Sequence, residues 1–64
     1  MMNGNELLTL RKTLDLSQKG LAEKIGVDQG TVSKWESGKQ SPSGPALKLL
    51  SQLAVEANVR EPAE

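Results

Sequence analysis

Sixty-four residues with eight basic and eight acidic side chains, no cysteine and no histidine, describe one small domain near the lower size limit for a hydrophobic core without staples. This composition removes disulfides, thiol nucleophiles and the usual zinc ligands, so neither a metal nor another cofactor is expected. No apolar run approaches a membrane span and no signal peptide is visible, which makes a cytoplasmic location without a membrane partner the expectation.

Met1 to Gly4 carry no pattern and read as a loose end. Asn5 is a plausible N-cap for a first helix, with Glu6 in the first turn where the helix dipole favours an acid. The helix then runs to about Leu14, and Leu7, Leu10 and Leu14 form its buried stripe at i, i+3, i+7. Leu8 is off that stripe, and the pattern leaves open whether it is exposed or meets another element. Asp15 and Leu16 make the connection, with Leu16 expected to plug the joint.

Ser17 is a strong N-cap for a second helix, Gln18 to about Ile25, whose apolar face is Leu21, Ala22 and Ile25. Gly26 supplies a positive φ that ends this helix and turns the chain. Asp28 caps a third helix from about Gln29 to Ser37, in which Val32 and Trp35 point into the core. Helical geometry then turns Gln29, Gly30, Ser33 and Lys34 away from the core and puts Thr31 on the flank. Trp35 is the only aromatic residue, and its phase with Val32 makes it a core residue rather than a stacking platform. Gly38 closes the helix and Pro42 prevents its continuation.

Ser43 is placed to cap a fourth helix, Gly44 to about Ala57, with Pro45 tolerated in its first turn. Its apolar residues, including Leu47, Leu50, Leu53 and Ala54, are joined by Leu49 into an arc of roughly 160°. Val55 lies on the otherwise polar side. Two readings stand: a subunit interface formed by Leu49, Leu53, Val55 and Glu56, or Leu49 as the edge of the core with Val55 merely exposed. Residues 58 to 64 read as a loose tail. The fold expected is all-α, a compact bundle of four short helices, or five, with one domain over residues 5–57 between flexible termini at 1–4 and 58–64.

The stretch from Gln18 to Ser37, QKGLAEKIGVDQGTVSKWES, has the spacing of a helix-turn-helix, in which the second helix is held out to enter the DNA major groove. Leu21, Ala22, Ile25, Gly26, Val27, Val32 and Trp35 occupy its small, glycine and apolar places, with Arg11 ahead of it and Trp35-Glu36-Ser37-Gly38-Lys39 closing it. Over about Leu7 to Ala54 the sequence resembles the lambda-repressor-like (Cro/CI, XRE) family of DNA-binding domains. The resemblance implies a lambda-repressor-like bundle with helices 2 and 3 as the helix-turn-helix, and a structural ion pair between Arg11 and Glu36. It places Gln29, Gly30 and Lys34 at base-reading positions, flanked by Thr31 and Ser33. Gly30 departs from the many relatives that carry a side chain there.

The chemistry of these residues suits that role. Gln pairs bidentately with adenine, Lys donates to guanine O6/N7, Ser takes either role, and the Thr methyl touches the thymine methyl. Gln18 and Lys19 sit at a helix N-terminus that favours phosphate, and Ser37, Lys39, Gln40 and Ser41 lie in the turn that the family sets against the DNA backbone. The zero net charge is unusual for a nucleic-acid binder. However, Lys19, Lys34 and Lys39 gather near the expected DNA face. With only ~2–4 phosphate-facing cations per subunit, a monomer is expected to bind poorly at physiological salt.

The resemblance therefore implies a nucleoid-associated regulator that binds double-stranded DNA as a homodimer on a pseudo-palindromic operator, a repressor or autorepressor of a short phage or plasmid operon. The alternative is an antitoxin or similar module whose main act is to hold a protein partner, a toxin or another operon product. The segment SPSGPALKLL resembles small regulators of both kinds. An enzyme is not expected: there is no histidine or cysteine, no paired carboxylates in a credible pocket, and no phosphate-binding glycine loop before a strand.

Overall fold

In the computed structural model, which describes residues 2–60 and the side chains of residues 2–57, the chain is an all-α bundle. Its helices are α1 Gly4–Thr13, α2 Gln18–Ile25, α3 Gln29–Ser37 and α4 Gly44–Arg60. No strand occurs among the described residues. Ser17 caps α2 by accepting from the Gly20 amide at 2.9 Å, and Asp28 caps α3 by accepting from the Thr31 amide at 2.8 Å. Each cap satisfies a backbone donor that the first turn leaves without an intrahelical partner.

The start of α1 differs from the expectation. Asn3, not Asn5, is the N-cap: its side chain accepts from the Glu6 amide at 2.8 Å while the Glu6 carboxylate accepts from the Asn3 amide at 2.9 Å. This reciprocal capping box starts the helix at Gly4. Gly4 is required by close approach. A Cβ there would overlap the Glu36 carbonyl oxygen and stand 3.1 Å from the Trp35 oxygen, so α1 enters against the last turns of α3. At the other end of the chain, α4 runs to Arg60, past the expected end at Ala57. Residues 61–64 of the expected tail lie outside the described residues.

All four helices contribute to one core. Leu7, Leu10 and Leu14 come from α1 and its C-cap, Leu21, Ala22 and Ile25 from α2, Val32 and Trp35 from α3, and Leu50, Leu53 and Ala57 from α4. Leu7, Leu21, Leu50 and Val32 are fully enclosed at its centre. Each such side chain contributes roughly 1.5–3 kcal/mol by leaving water, so these four anchor the packing of all four helices. Leu16, Val27, Ala46 and Ala54 pack around the margin. The short joint between α1 and α2 turns at Asp15, whose φ is +58°, and Gly26 turns the chain from α2 to α3 at φ +91° with its amide on the Ala22 carbonyl. Pro42 is buried in the connection to α4.

One expectation for α4 is corrected here. Leu53, assigned above to a subunit interface, belongs to the core of the single chain at 8% exposure, because its helical phase matches Leu50 and Ala57. Among the described residues, Leu49 and Val55 are the exposed large apolar ones, at 39% and 63%.

Candidate nucleic-acid interface

The packing of α3 divides its residues into two sets. Val32 and Trp35 are buried against the body. Gln29, Gly30, Ser33 and Lys34 are exposed and Thr31 is half-buried, so the polar side chains of the helix face outward together. Trp35 serves as a wedge under this helix and presents no ring for stacking. Asp28 stands at the head of the row, fully exposed. It holds both the Thr31 amide and the Thr31 hydroxyl, the latter at 2.7 Å. The hydroxyl first and the amide second, with Lys34 nearby, keep the Asp28 carboxyl below the usual carboxylate range.

The far end of α3 is tied to the scaffold. Arg11 Nε donates to Glu36 Oε2 at 2.7 Å, Arg11 Nη2 donates to Glu36 Oε1 at 3.2 Å, and Arg11 Nη1 donates to the Leu16 carbonyl at 3.1 Å. The guanidinium thus clamps α1, the α1–α2 joint and α3 with one planar fork. Burial pushes the Glu36 carboxyl up. Hydrogen bonds from Arg11 and Gln18 and the charges of Arg11 and Lys12 outweigh it, leaving the group below its ordinary value. The hydrogen bond to Glu36 raises Arg11 above its own ordinary value despite some desolvation.

Gln18 adds a connection that the sequence reading did not contain. Its Nε2 donates to Glu36 Oε1 at 3.0 Å and its Oε1 accepts from Gln29 Nε2 at 3.4 Å. A relay of polar side chains therefore runs from Arg11 through Glu36 and Gln18 to Gln29, the first residue of α3. No periodicity points to such a relay. The signal available was only that Gln18 and Gln29 open consecutive helices joined by a short turn.

The turn after α3 directs its donors inward. The Lys39 and Gln40 amides donate to the Lys34 carbonyl at 3.0 and 3.2 Å, and the Gly38 amide donates to Trp35 at 3.3 Å. The Ser37 hydroxyl also donates to the Lys34 carbonyl, at 3.2 Å. Lys39, Gln40 and Ser41 keep exposed side chains, as does Lys19 at the start of α2. Any anion met by this turn is met by side chains, because these backbone donors are used. No group of three or more metal-ligating residues that could hold an ion occurs among the described residues, and no described helix is long and apolar enough to cross a membrane.

Two short helices joined by a glycine turn, the second braced at both ends with its polar row facing outward, define a helix-turn-helix domain. A helix-turn-helix family model matches residues 7–54. The chain is 44% identical over 53 residues to the HTH-type transcriptional activator BcrR of Enterococcus faecalis, an alignment covering 81% of this chain and 26% of that protein. It is 33% identical over 51 residues to the antitoxin PezA of Streptococcus pneumoniae, covering 80% of this chain and 32% of that protein. The matches thus span about a quarter to a third of those relatives. The chain belongs to the lambda-repressor-like (Cro/CI, XRE) helix-turn-helix family, a family of DNA-binding domains.

Proposed function

We propose that the chain is the sequence-specific DNA-binding unit of a transcriptional regulator, with α3 lying in the major groove of double-stranded DNA. One observation carries this reading: Gln29, Ser33 and Lys34 are exposed along a helix whose opposite side is locked into the core and whose last turn is clamped by Arg11. A rigid helix with a polar row is what base-edge readout needs, since hydrogen-bond discrimination is lost when the donor moves. Gln29 and Lys34 are the principal base readers, with Gly30, Thr31 and Ser33 beside them. Lys19, Lys39, Gln40 and Ser41 hold phosphates, with Ser37 joining them only by turning its hydroxyl away from the Lys34 carbonyl, and Gln18 holds one through the α2 N-terminus while its side chain steadies Gln29.

Two copies place α3 in successive major grooves about 34 Å apart, on a pseudo-palindromic operator. Leu49, with Glu56 near it on the same line of α4, is the contact we assign to the second copy. Val55 lies ~120° away around the helix, so the two apolar residues do not form one stripe. The regulatory output we propose is repression, by occupying a promoter. The relative named as an activator makes activation the competing outcome for the same binding mode. A second reading, a module that holds a protein partner, draws on the relative named as an antitoxin and on the exposure of Leu49 and Val55.

The test is the pair of substitutions Gln29→Ala and Lys34→Ala made together. Loss of operator binding by a protein that still melts like the parent supports the reading. Binding that survives the double substitution overturns the assignment of α3. Retention of a partner complex by the same variant separates the two readings.

A further inference from the structure

Asn3 and Gly4 form the one Asn–Gly bond of the chain. An asparagine side chain is open to attack by the amide nitrogen of the next residue, and a following glycine puts no Cβ in the way. Asn3 is exposed to solvent. The Gly4 amide, in the first turn of α1, has no intrahelical acceptor and makes no hydrogen bond among the described residues. The Asn3 carboxamide is held elsewhere. Its Oδ1 accepts from the Glu6 amide at 2.8 Å, while the Glu6 carboxylate accepts from the Asn3 amide at 2.9 Å.

We propose that Asn3–Gly4 is a site of spontaneous deamidation, that the Asn3–Glu6 capping box gates it, and that its isoaspartate product unseats α1 from α3. In the first step the Gly4 nitrogen bonds to Asn3 Cγ and the Cγ–Nδ2 bond breaks. Nδ2 leaves as ammonia, taking up the proton that the Gly4 nitrogen gives up. Water then opens the five-membered imide. Attack at the former side-chain carbonyl gives aspartate at position 3; attack at the backbone carbonyl gives isoaspartate, whose main chain runs through the side-chain carbon. Solvent is the only co-reactant. Ring closure requires the carboxamide to leave the Glu6 amide and the Asn3 ψ to move away from 177°. The rate therefore follows the fraction of time that this first turn is frayed.

The two products are not equivalent. Aspartate keeps the acceptor for the Glu6 amide, and its charge is favoured at a helix N-terminus. Isoaspartate inserts one more backbone atom between two anchored neighbours. Met2 packs against the core on one side. On the other, Gly4 lies so close to α3 that a Cβ on it would overlap the Glu36 carbonyl oxygen and stand 3.1 Å from the Trp35 oxygen. The extra atom has no slack to enter, so it strains the contact between α1 and the last turns of α3.

The test is storage of the purified chain near neutral pH, as parent, Glu6→Gln, Glu6→Ala and Asn3→Ser. Peptide mapping by mass locates the conversion of amide to acid, and isoaspartyl methyltransferase labelling counts isoaspartate. Glutamine keeps the reciprocal bond of the box and alanine removes it. Conversion is expected at position 3 ahead of any other asparagine, at about three to ten times the parent rate in Glu6→Ala and close to the parent rate in Glu6→Gln. Asn3→Ser keeps a capping acceptor and gains no isoaspartate there. Separated by ion exchange, the isoaspartate form is expected to melt below the parent and the aspartate form to melt with it. Absence of conversion at position 3 even in Glu6→Ala overturns the site. Equal rates in Glu6→Ala and the parent overturn the gate, and an isoaspartate form that melts like the parent overturns the strain on α1.

Discussion

Arg11 and Glu36, twenty-five positions apart in the chain, meet through two hydrogen bonds of 2.7 and 3.2 Å and join the first helix to the last turn of the third. Their side chains are only 16% and 11% exposed, so solvent screens the pair weakly. Removing one partner leaves the other desolvated and unpaired. Arg11→Met and Glu36→Ala are each expected to lower stability by about 2 kcal/mol, less than the 3–5 kcal/mol of a fully buried pair. Urea denaturation measures it, and a shift of midpoint within error for both variants contradicts the clamp. Glu36→Ala also frees the Gln18 amide and is expected to weaken DNA binding beyond its effect on folding.

The same carboxylate sets a pH dependence. The Glu36 pKa is depressed in the folded chain below its unfolded value, because the hydrogen bonds and charge of Arg11 and the Gln18 amide outweigh its burial. A depressed carboxylate binds fewer protons folded than unfolded. Its stabilisation is therefore fully present above the unfolded pKa and is lost as pH falls through the folded value. Melting temperature should fall below about pH 5 in the parent. Glu36→Gln, less stable at neutral pH, should show a shallower fall. Parallel profiles for the two proteins would remove Glu36 from the acid response.

Two glycines are expected to respond differently to substitution. Gly4→Ala gains helix propensity but drives a methyl into the Glu36 carbonyl, and overpacking of this kind costs about 1–3 kcal/mol. Gly26 has open space around it and φ +91°, so the loss there comes from the backbone alone. Gly26→Asn should melt only slightly below the parent, and Gly26→Val well below it. Equal melting of the Asn and Val variants would contradict the conformational origin of that loss.

Binding should depend on salt in proportion to the phosphates engaged. With a few lysines per subunit, the log-log slope for a dimer on its operator is expected to be about −4 to −7. Lys39→Gln should make it less steep by about 1–2 units, one contact in each subunit. A slope near zero is incompatible with the phosphate contacts assigned to Lys19 and Lys39.

Much of this architecture is legible in the chain because it rests on local rules. Leucine spacing in α1, the caps at Ser17 and Asp28, and the turn at Gly26 are set by residues within one or two turns of each other. The N-cap at Asn3 was also written locally, as Asn followed three residues later by Glu, but Gly4 between them reads as a helix breaker. Its fitness for that place depends on the α3 carbonyls packed against it, and that contact is not local. Leu53 was misassigned for a similar reason: the width of an apolar arc does not say how much of it the core consumes. The relay through Gln18 depends on side-chain rotamers across three helices, which spacing does not encode. The outward row of Gln29, Ser33 and Lys34 was readable from helical phase, whereas the locked hydroxyl of Thr31 required its distance to Asp28.

Selection from a random DNA duplex library at near-physiological salt tests the placement of α3 in the groove most directly. The predicted result is an enriched inverted repeat, its half-sites one helical turn apart, that disappears from the selection with the Gln29→Ala, Lys34→Ala protein. Folded protein that enriches no sequence, or enriches the same repeat after both substitutions, would contradict it.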